Sequence, residues 1–244
     1  MTKKMNTVMT YLCTKSFIPG MVALSNSIKN NTDGKYLFSV VATEELKPYE
    51  SYLNKYCDNI FFVEKIYSNR TTGIKDRYKD NSWMMFSKLN IFNQTNFNKV
   101  LYIDSDCIVL RNEIDTLFKN ENVSAVKDKG YGGLSAGVML LMPDAKIFGK
   151  ILNQIDNSDY DNTYSDQSFL NYFFPEYNQL DNRFNTLEKK LPLDKQTVIF
   201  HFNGQKPWLP PDENGWNKKK NRAYFLWHRY FGPIEKLKFR LYFR

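Results

Sequence analysis

The feature that most constrains the fold is an apolar run over residues 98–110 that two carboxylates interrupt. Val100-Leu101-Tyr102-Ile103 leads into Asp104-Ser105-Asp106, and the run resumes as Ile108-Val109-Leu110. Nearly unbroken apolar sequence of this kind predicts a strand buried on both faces, as in the middle of a parallel sheet. In extended backbone, side chains two residues apart point the same way, so we expect Asp104 and Asp106 to reach one point in space.

Two carboxylates at one buried point require a positive counter-charge. Hard oxygen ligands at the carboxyl end of a strand suit Mg²⁺ or Mn²⁺, above all when phosphate oxygens of a bound nucleotide supply the remaining ligands. In the alternative interpretation the sheet simply ends here, and two solvated aspartates begin a loop. An Asp-x-Asp pattern alone does not decide between a metal site and a loop.

The segments around this run alternate between strand and helix patterns. Upstream, the pattern predicts strands over Thr7–Tyr11, Tyr36–Ala42 and Asn59–Val63, and helices over Ile18–Asn30 and Leu46–Cys57. Downstream, it predicts a mobile polar loop over Arg70–Ser82, helices over Trp83–Phe92, Glu113–Phe118 and Asp144–Gln154, and strands over Ser124–Val126 and Gly137–Met142. A βαβαβ order predicts an α/β protein with a doubly wound, mainly parallel sheet, whose ligand crevice lies at the carboxyl ends of the strands.

Composition excludes several classes of protein. With 244 residues and 42% hydrophobic content, the chain can bury a substantial core. It has no apolar stretch long enough to span a membrane and no amino-terminal secretory signal, so we expect a cytoplasmic location. The three cysteines, Cys13, Cys57 and Cys107, lie in or beside apolar segments, which favours buried free thiols over a disulfide framework or a zinc site.

The net charge of +8 is confined to the carboxyl end of the chain. Residues 217–244 hold nine basic residues and one acid, so the preceding residues are balanced. The same segment interleaves its basic residues with aromatic ones. We expect these aromatic side chains to pack onto the rest of the protein as a final helix. Association with an anionic membrane surface is the second interpretation, and single-stranded nucleic acid is a distant third.

A second informative segment runs from Val198 to Trp208. Its sequence, Val-Ile-Phe-His-Phe-Asn-Gly-Gln-Lys-Pro-Trp, predicts a strand that delivers His201, a tight turn at Asn203-Gly204, and then Lys206. An imidazole can complete a divalent site begun by two carboxylates, and an ammonium beyond a glycine turn can contact phosphate. Taken alone, a histidine after an apolar run is more often a hydrogen-bonded core residue.

Taken together and in order, these motifs resemble the glycogenin-like retaining glycosyltransferases of family eight. The resemblance covers about residues 6–209. It is carried by the first strand and the loop after it, the helix with Lys88, the segment from Leu101 to Asp106, Ser165-Asp166-Gln167-Ser168, and the segment from His201 to Trp208.

The resemblance implies a GT-A, Rossmann-like fold, with a mixed, mainly parallel sheet flanked by helices. It implies a single catalytic domain over residues 1–215 and a basic, aromatic C-terminal extension over 216–244. The implied activity is metal-dependent transfer of a sugar from a UDP-sugar to a hydroxyl acceptor on a glycan, protein or lipid. Glucose is the first candidate, before galactose, xylose and N-acetylglucosamine, and a homodimer is left open.

The resemblance also implies roles for individual residues. Asp104, Asp106 and His201 would hold Mn²⁺ or Mg²⁺, and Asp166, Gln167 and Lys88 would act on the transferred sugar. The remaining contacts to the UDP-sugar would come from Tyr11, Cys13, Thr14, Phe17, Lys88, Ser105, Gly204 and Lys206, with Phe17 where the family often has a stacking tyrosine. For individual residues, plainer interpretations also exist: Phe17 as core, Lys88 as a solvated helix residue and Asp166 as a helix N-cap.

Two departures from the family pattern leave the donor sugar open. Ser135-Ala136-Gly137 stands where the family tends to have Asn-Ser-Gly, and Thr163 replaces an acid. These changes also allow a non-catalytic nucleotide-sugar-binding protein whose tail binds a membrane surface or a partner. A third possibility is a phosphatase with an aspartate nucleophile, but its motif normally begins the domain, whereas three predicted strands precede Asp104 here.

Overall fold

A seven-stranded mixed sheet organises the chain. The computed structural model describes residues 4–70, 82–187, 193–204, 206–209, 225–233 and 235. The order of the strands in the large sheet is β3-β2-β1-β4-β7-β6-β8. These strands are β1 (Thr7–Leu12), β2 (Leu37–Thr43), β3 (Asn59–Val63), β4 (Val100–Ile103), β6 (Ser124–Lys127), β7 (Leu134–Leu141) and β8 (Asn178–Leu180). Strands β1 to β4 run parallel to one another, and β7 is antiparallel to β4 and β6.

A second, three-stranded sheet lies beyond the carboxyl end of β4. Its order is β5-β10-β9, where β5 is Cys107–Val109, β9 is Thr186–Leu187 and β10 is Ile199–His201. The central strand β10 pairs antiparallel with β5 and parallel with β9. Residues 104–106 therefore carry the chain from the large sheet into the small one.

The helices cover both faces of the large sheet. The α-helices are α1 (Ile18–Asn31), α2 (Glu50–Leu53), α3 (Ser82–Phe86), α4 (Ala145–Asn157), α5 (Asp166–Phe173) and a helix α6 over residues 225–233. Short 3-10 helices span Lys15–Phe17, Glu44–Tyr49, Ser87–Asn93, Asn112–Lys119 and Asn182–Phe184. Among the described residues, no helix has both the length and the apolar character needed to cross a bilayer.

Three predicted helices differ from the observed ones. Instead of one helix over Leu46–Cys57, a 3-10 helix that contains Pro48 leads into the four-residue α2, which ends at Leu53. The predicted helix over Trp83–Phe92 begins as α3 and tightens into 3-10 geometry from Ser87. The third, Glu113–Phe118, lies entirely within a 3-10 helix. The loop predicted over Arg70–Ser82 lies mostly outside the described residues.

The core consists of two apolar clusters, one on each face of the large sheet. Alternate residues of a strand enter different clusters: Leu101 and Ile103 join the cluster beneath α1, whereas Val100 and Tyr102 join the cluster beneath α4 and α5. All four side chains are at most 1% exposed. Burial on both faces is what the unbroken apolar run predicts for this strand, and it leaves the carboxyl end of β4 as the place where polar chemistry can begin.

Helix α6 packs against α1 through its aromatic side chains. Trp227, Tyr230 and Phe231 are at most 7% exposed and belong to the same apolar cluster as α1. The side-chain amides of Asn26 and Asn31 donate to the backbone oxygen and the hydroxyl of Tyr230, each at 2.9 Å. The packing interpretation of the tail therefore holds for these three aromatic residues, which recur at helical spacing.

Candidate active site

The candidate site is a cavity of about 530 Å³ at the carboxyl ends of β1 and β4. Every predicted site residue except Thr14 lines it. These residues are Tyr11, Cys13, Phe17, Lys88, Asp104, Ser105, Asp106, Asp166, Gln167, His201, Gly204 and Lys206. The Thr14 hydroxyl is instead hydrogen-bonded to the Ser16 hydroxyl at 2.7 Å, and the Thr14 side chain is not part of the cavity wall.

A turn, and not extended backbone, brings Asp104 and Asp106 to the site. The backbone N–H of Cys107 donates to the carbonyl oxygen of Asp104 at 3.0 Å, which closes a tight turn between β4 and β5. The prediction that the two carboxylates share one face of an extended strand is therefore wrong in its geometry. The turn forms because the chain leaves one sheet for the other at this point.

Asp106 lies between two cationic partners. Its Oδ1 is 3.3 Å from Nε2 of His201, and its Oδ2 accepts a hydrogen bond from the Lys206 ammonium. Burial raises the pKa of Asp106, but the charges of His201 and Lys206 outweigh it and hold the pKa well below its usual range. Burial lowers the pKa of His201, but the carboxylate of Asp106 outweighs it, so that pKa is raised. Each group thus stabilises the charge of the other.

Asp104 has a different environment from Asp106. Its Oδ1 accepts a hydrogen bond from the Tyr102 hydroxyl and lies 3.9 Å from the ammonium of Lys88. Burial raises the pKa of Asp104, and the charge of Lys88 offsets only part of that shift. Its Oδ2 is turned towards His201 across Gly137. Asp104 is therefore the carboxylate of the pair that most lacks a positive partner.

Gly137 makes room for this arrangement. A Cβ atom at Gly137 would lie 2.6 Å from Cε1 and 2.8 Å from Nδ1 of His201, and 3.2 Å from Oδ2 of Asp104. The Gly137 backbone oxygen also accepts from the Asp104 N–H at 2.8 Å. Only a residue without a side chain lets the imidazole and the carboxylate approach each other here.

Within the described part of the chain, Asp106, Cys107 and His201 form a group of possible metal ligands whose ligand atoms lie within 4.8 Å of one another. Asp104 is outside that group. Burial raises the pKa of Cys107 well above its usual value, so the thiol stays protonated and is a poor ligand for a hard cation. Cys107 is fully buried, as expected for a structural thiol.

Lys88 joins the two acidic motifs. Its ammonium lies 2.5 Å from Oδ2 of Asp166 and donates to the backbone oxygen of Ala136 at 3.3 Å. Burial lowers the pKa of Lys88, but the charges of Asp104 and Asp166 outweigh it and raise that pKa above its usual value. Lys88 is 6% exposed, so the interpretation of a solvated helix residue is wrong.

The backbone at Ser165 presents Asp166 and Gln167 to the cavity. Ser165 has a φ of 56° and a ψ of −123°, a conformation that favours glycine, and it precedes α5 as its N-cap. Asp166 is thus the first helical residue and not the cap. The Gln167 amide is held from both sides, since its Oε1 accepts from the Ala136 N–H at 3.2 Å and its Nε2 donates to Asp128 at 3.0 Å.

The other end of the cavity is apolar. Tyr11 lies in β1 and Cys13 directly follows that strand. Both residues are at most 8% exposed, and burial raises the pKa of Cys13 to about 11. Phe17 makes an edge-to-face contact with Trp208, with ring centroids 6.0 Å apart. Trp208 in turn lies 5.5 Å from the ring of Trp227 in α6. An aromatic row therefore connects the cavity wall to the C-terminal helix.

Gly204 and Lys206 lie after β10, as the sequence predicts. Gly204 has a φ of 122°, which L side chains rarely adopt, so the turn needs glycine at this position. The turn brings the Lys206 ammonium back to Asp106 and to the backbone oxygen of Phe202, at 3.1 Å from the latter.

Two polar residues of the site escaped the sequence analysis. The Oδ1 of Asn185 lies 3.0 Å from Nδ1 of His201, and Asp128 holds the Gln167 amide as described above. Asn185 lies in a polar segment that resembles any surface loop. Asp128 precedes the glycine-rich segment over residues 129–133, which carries no spacing typical of a binding motif. No spacing signal distinguishes either residue, because their partners are distant in sequence.

Comparisons with known proteins identify relatives of this chain. Glycogenin-1 of Caenorhabditis elegans is 24% identical over 215 residues, which covers 79% of this chain and 48% of the relative. Inositol phosphorylceramide glucuronosyltransferase 1 of Arabidopsis thaliana is 31% identical over 169 residues, covering 69% of this chain and 30% of that protein. The chain thus spans less than half the length of either relative.

A solved structure supports the fold, and a family model identifies the family. The glycosyltransferase GlyE of Streptococcus pneumoniae TIGR4 superimposes with a TM-score of 0.68 at 19% identity, covering 96% of this chain and 63% of GlyE. This likeness confirms the expected GT-A fold. The family model described as Glycosyl transferase family 8 matches residues 8–211, which includes every predicted site residue. The chain therefore belongs to glycosyl transferase family 8.

Proposed function

We propose that this protein is a metal-dependent, retaining glycosyltransferase that moves a sugar from a UDP-sugar to a hydroxyl acceptor. One observation carries the proposal: in a chain of this family, Asp106 and His201 lie 3.3 Å apart in the same cavity as Asp104 and the ammonium groups of Lys88 and Lys206. A nucleoside diphosphate needs cationic partners, and this set of groups can supply them. Family membership gives no support to the phosphatase alternative.

The chemistry of the donor set fits a hard divalent cation. Bonds of about 2.1 Å from one octahedral ion place neighbouring ligand atoms about 3 Å apart, close to the separation of the Asp106 oxygen and the His201 nitrogen. The space beside Gly137 leaves Asp104 facing the same point. Asp104, Asp106 and His201 would hold Mn²⁺ or Mg²⁺, which would supply positive charge to the diphosphate. Lys206 would then turn from Asp106 to a phosphate oxygen.

The sugar would lie against Asp166 and Gln167. In the proposed front-face transfer, the bond between the anomeric carbon and the UDP oxygen breaks as the bond to the acceptor oxygen forms on the same face. The acceptor proton passes to the departing phosphate oxygen. Lys88 holds Asp166 in place, and the amide of Gln167 is fixed by Ala136 and Asp128, so both side chains can orient the sugar without rearranging.

The identity of the donor sugar is a separate proposal. We take glucose as the first candidate, followed by galactose, xylose and N-acetylglucosamine, and the glucuronosyltransferase relative adds glucuronic acid to the donors that need testing. The acceptor would be a hydroxyl group on a glycan, protein or lipid. Melting temperatures measured against each UDP-sugar, with and without Mn²⁺, would identify the donor, because selective binding stabilises the folded state.

Release of UDP from the stabilising UDP-sugar, in the presence of Mn²⁺, tests catalysis. Asp104→Asn keeps the shape of the side chain and its hydrogen bond from Tyr102 but removes the charge, so we expect turnover to be lost while the fold is retained. Asp115→Asn is the matched control, since Asp115 forms an exposed ion pair with Lys35 and does not line the cavity. Normal turnover by Asp104→Asn would refute the proposal. Donor binding by the unaltered protein without turnover would identify a non-catalytic binding protein instead.

A further inference from the structure

We propose that the acceptor is a saccharide that carries a negative charge, as a phosphate or carboxylate group, close to its accepting hydroxyl group. Lys127 and Lys129, which both line the cavity, bind that group. The proposal rests on the proposed function, whose acceptor it narrows from any hydroxyl group to an anionic sugar. It concerns residues 127–133, here called the basic loop, which lead from the end of β6 to the start of β7.

The basic loop is connected to the side chain that orients the donor sugar. Oδ2 of Asp128 accepts a hydrogen bond from the Gln167 amide at 3.0 Å. Oδ1 of the same carboxylate accepts from the backbone N–H groups of Gly130 and Tyr131, at 2.8 and 3.2 Å. Because Gln167 faces the sugar in the proposed transfer, the basic loop borders the space through which an acceptor hydroxyl reaches that sugar.

The backbone of the basic loop forms a closed hairpin. The Asp128 N–H donates to the oxygen of Gly133, and the Gly132 N–H donates to the oxygen of Asp128, each at 2.7 Å. Gly132 has a φ of 94°, which L side chains rarely adopt. The backbone that carries the two lysines is therefore held in place without a ligand, so binding need not order it.

The lysines that line the cavity differ in their partners. Lys88 and Lys206 each form an ion pair with a buried carboxylate of the site. Lys127 and Lys129 are exposed at the mouth of the cavity, and neither forms an ion pair with a carboxylate of the residues that the structure describes. Because the first 216 residues carry no net charge, these two unpaired lysines do not simply reflect an excess of basic residues.

The diphosphate of the donor does not account for Lys127 and Lys129, since Lys206 and the proposed cation provide its positive partners. An acceptor with its own negative charge does. An ammonium group binds as a compact point charge without the fixed fork geometry of a guanidinium group, so phosphate and carboxylate both belong to the proposed class.

An aromatic ring beside the basic loop favours a sugar as the carrier of this charge. The ring of Tyr164 lines the cavity and makes an edge-to-face contact with Tyr131 of the basic loop, with ring centroids 5.0 Å apart. An aromatic side chain among polar groups gives a saccharide both an apolar surface to lie on and partners for its hydroxyl groups. We therefore commit to an anionic saccharide rather than a lipid or a protein.

Matched pairs of saccharides test the preference for charge. The probes are glucose and galactose, their 6-phosphates, and glucuronic and galacturonic acid, each offered with Mn²⁺ and the UDP-sugar that stabilises the protein. UDP release above the rate without acceptor gives kcat/KM. We expect at least one charged sugar to exceed its neutral counterpart at least about tenfold, and this advantage should shrink as NaCl is raised. The phosphate and uronic acid probes show which anionic group is bound.

The double variant Lys127→Gln/Lys129→Gln removes both charges and keeps polar side chains. We expect the ratio of kcat/KM for the charged sugar to that for its neutral counterpart to fall about tenfold. Lys146→Gln/Lys150→Gln makes the same change at exposed positions of α4 outside the cavity and should keep the ratio. UDP release from the donor alone is measured in parallel. An equal fall in that rate would assign the two lysines to the donor and overturn the proposal.

The two proposals fail in different ways. Suppose that the unaltered protein releases UDP but prefers neutral sugars, accepts none of the probes, or keeps its charge preference in the double variant of the basic loop. The anionic acceptor is then refuted, while the glycosyltransferase function stands. If the unaltered protein releases UDP from no UDP-sugar, catalysis is refuted, and the anionic acceptor with it.

Discussion

Gly137 lies so close to His201 that one added methyl group should weaken Mn²⁺ binding while the protein stays folded. In Gly137→Ala the new Cβ would lie 2.6 Å from Cε1 of His201, whereas carbon atoms in contact normally stand about 3.5–4.0 Å apart. The imidazole would have to move by about 1 Å to relieve the clash. Gly137 itself has no positive φ that would exclude alanine, so the variant tests space alone.

The expected magnitude follows from the surroundings of His201. The ring is 7% exposed and is held by Asn185, so it cannot move without loss of packing or of that hydrogen bond. Overpacking of this kind costs about 1–3 kcal/mol of the free energy of unfolding. Binding geometry tolerates only about 0.5 Å, so we expect Mn²⁺ affinity to fall by at least about tenfold.

The assay is thermal unfolding with and without MnCl₂ and UDP. Gly149→Ala is the matched control, because Gly149 is an exposed residue within α4 and, apart from its own helix backbone, no atom of the described residues lies within 4 Å of its added Cβ. That control should gain up to about 1 kcal/mol of stability and keep the full Mn²⁺-dependent rise in melting temperature. Gly137→Ala should lose most of that rise. An undiminished rise in Gly137→Ala would refute the close approach of Gly137 to the metal ligands.

Three further predictions concern residues around the site. In Ser165→Gly, the free energy of unfolding measured in urea should be unchanged or raised by up to about 1 kcal/mol, because relief of backbone strain offsets the greater freedom of glycine in the unfolded chain. A clear loss of stability would contradict the strain at Ser165. Trp227→Ala should cost about 3–5 kcal/mol in the same assay, and a cost under about 1 kcal/mol would show that α6 is not part of the core. Only the thiolate reacts with iodoacetamide, so Cys13, with a pKa of about 11, should react far more slowly at pH 8 than free cysteine does. Its rate should rise about tenfold for each pH unit up to pH 10. Rates equal to those of free cysteine would contradict the burial of this thiol.

The large sheet could be predicted because each of its first strands carries its own signal. Asn59–Val63 was predicted with the observed bounds, and the strand before Asp104 was predicted as buried on both faces. The short strands β8 and β9, of three and two residues, could not be predicted, since their few side chains show no periodicity. They exist because neighbouring strands offer them hydrogen bonds.

The candidate site was predicted where a residue type and its spacing both point to chemistry. Asp104, Asp106 and His201 were identified in this way and do line one cavity. Asn185 could not be predicted, because the residues that its side chain contacts, His201 and Ser135, lie 16 and 50 residues away in sequence. Hydrogen bonds between residues that only the tertiary fold brings together leave no local pattern.

The packing of α6 on α1 affects how this protein should be shortened for experiments. Residues after 215 were predicted to form an extension, yet Trp227 is 1% exposed and faces the indole of Trp208, which lies two residues from Lys206. A shortened protein that ends at 215 would expose an apolar surface along α1. The side-chain amide of Asn26 would also lose its hydrogen-bond acceptor, the backbone oxygen of Tyr230. Weak catalysis or aggregation of such a protein would result from the loss of the helix that covers its apolar core. It would say nothing about the chemistry of the cavity.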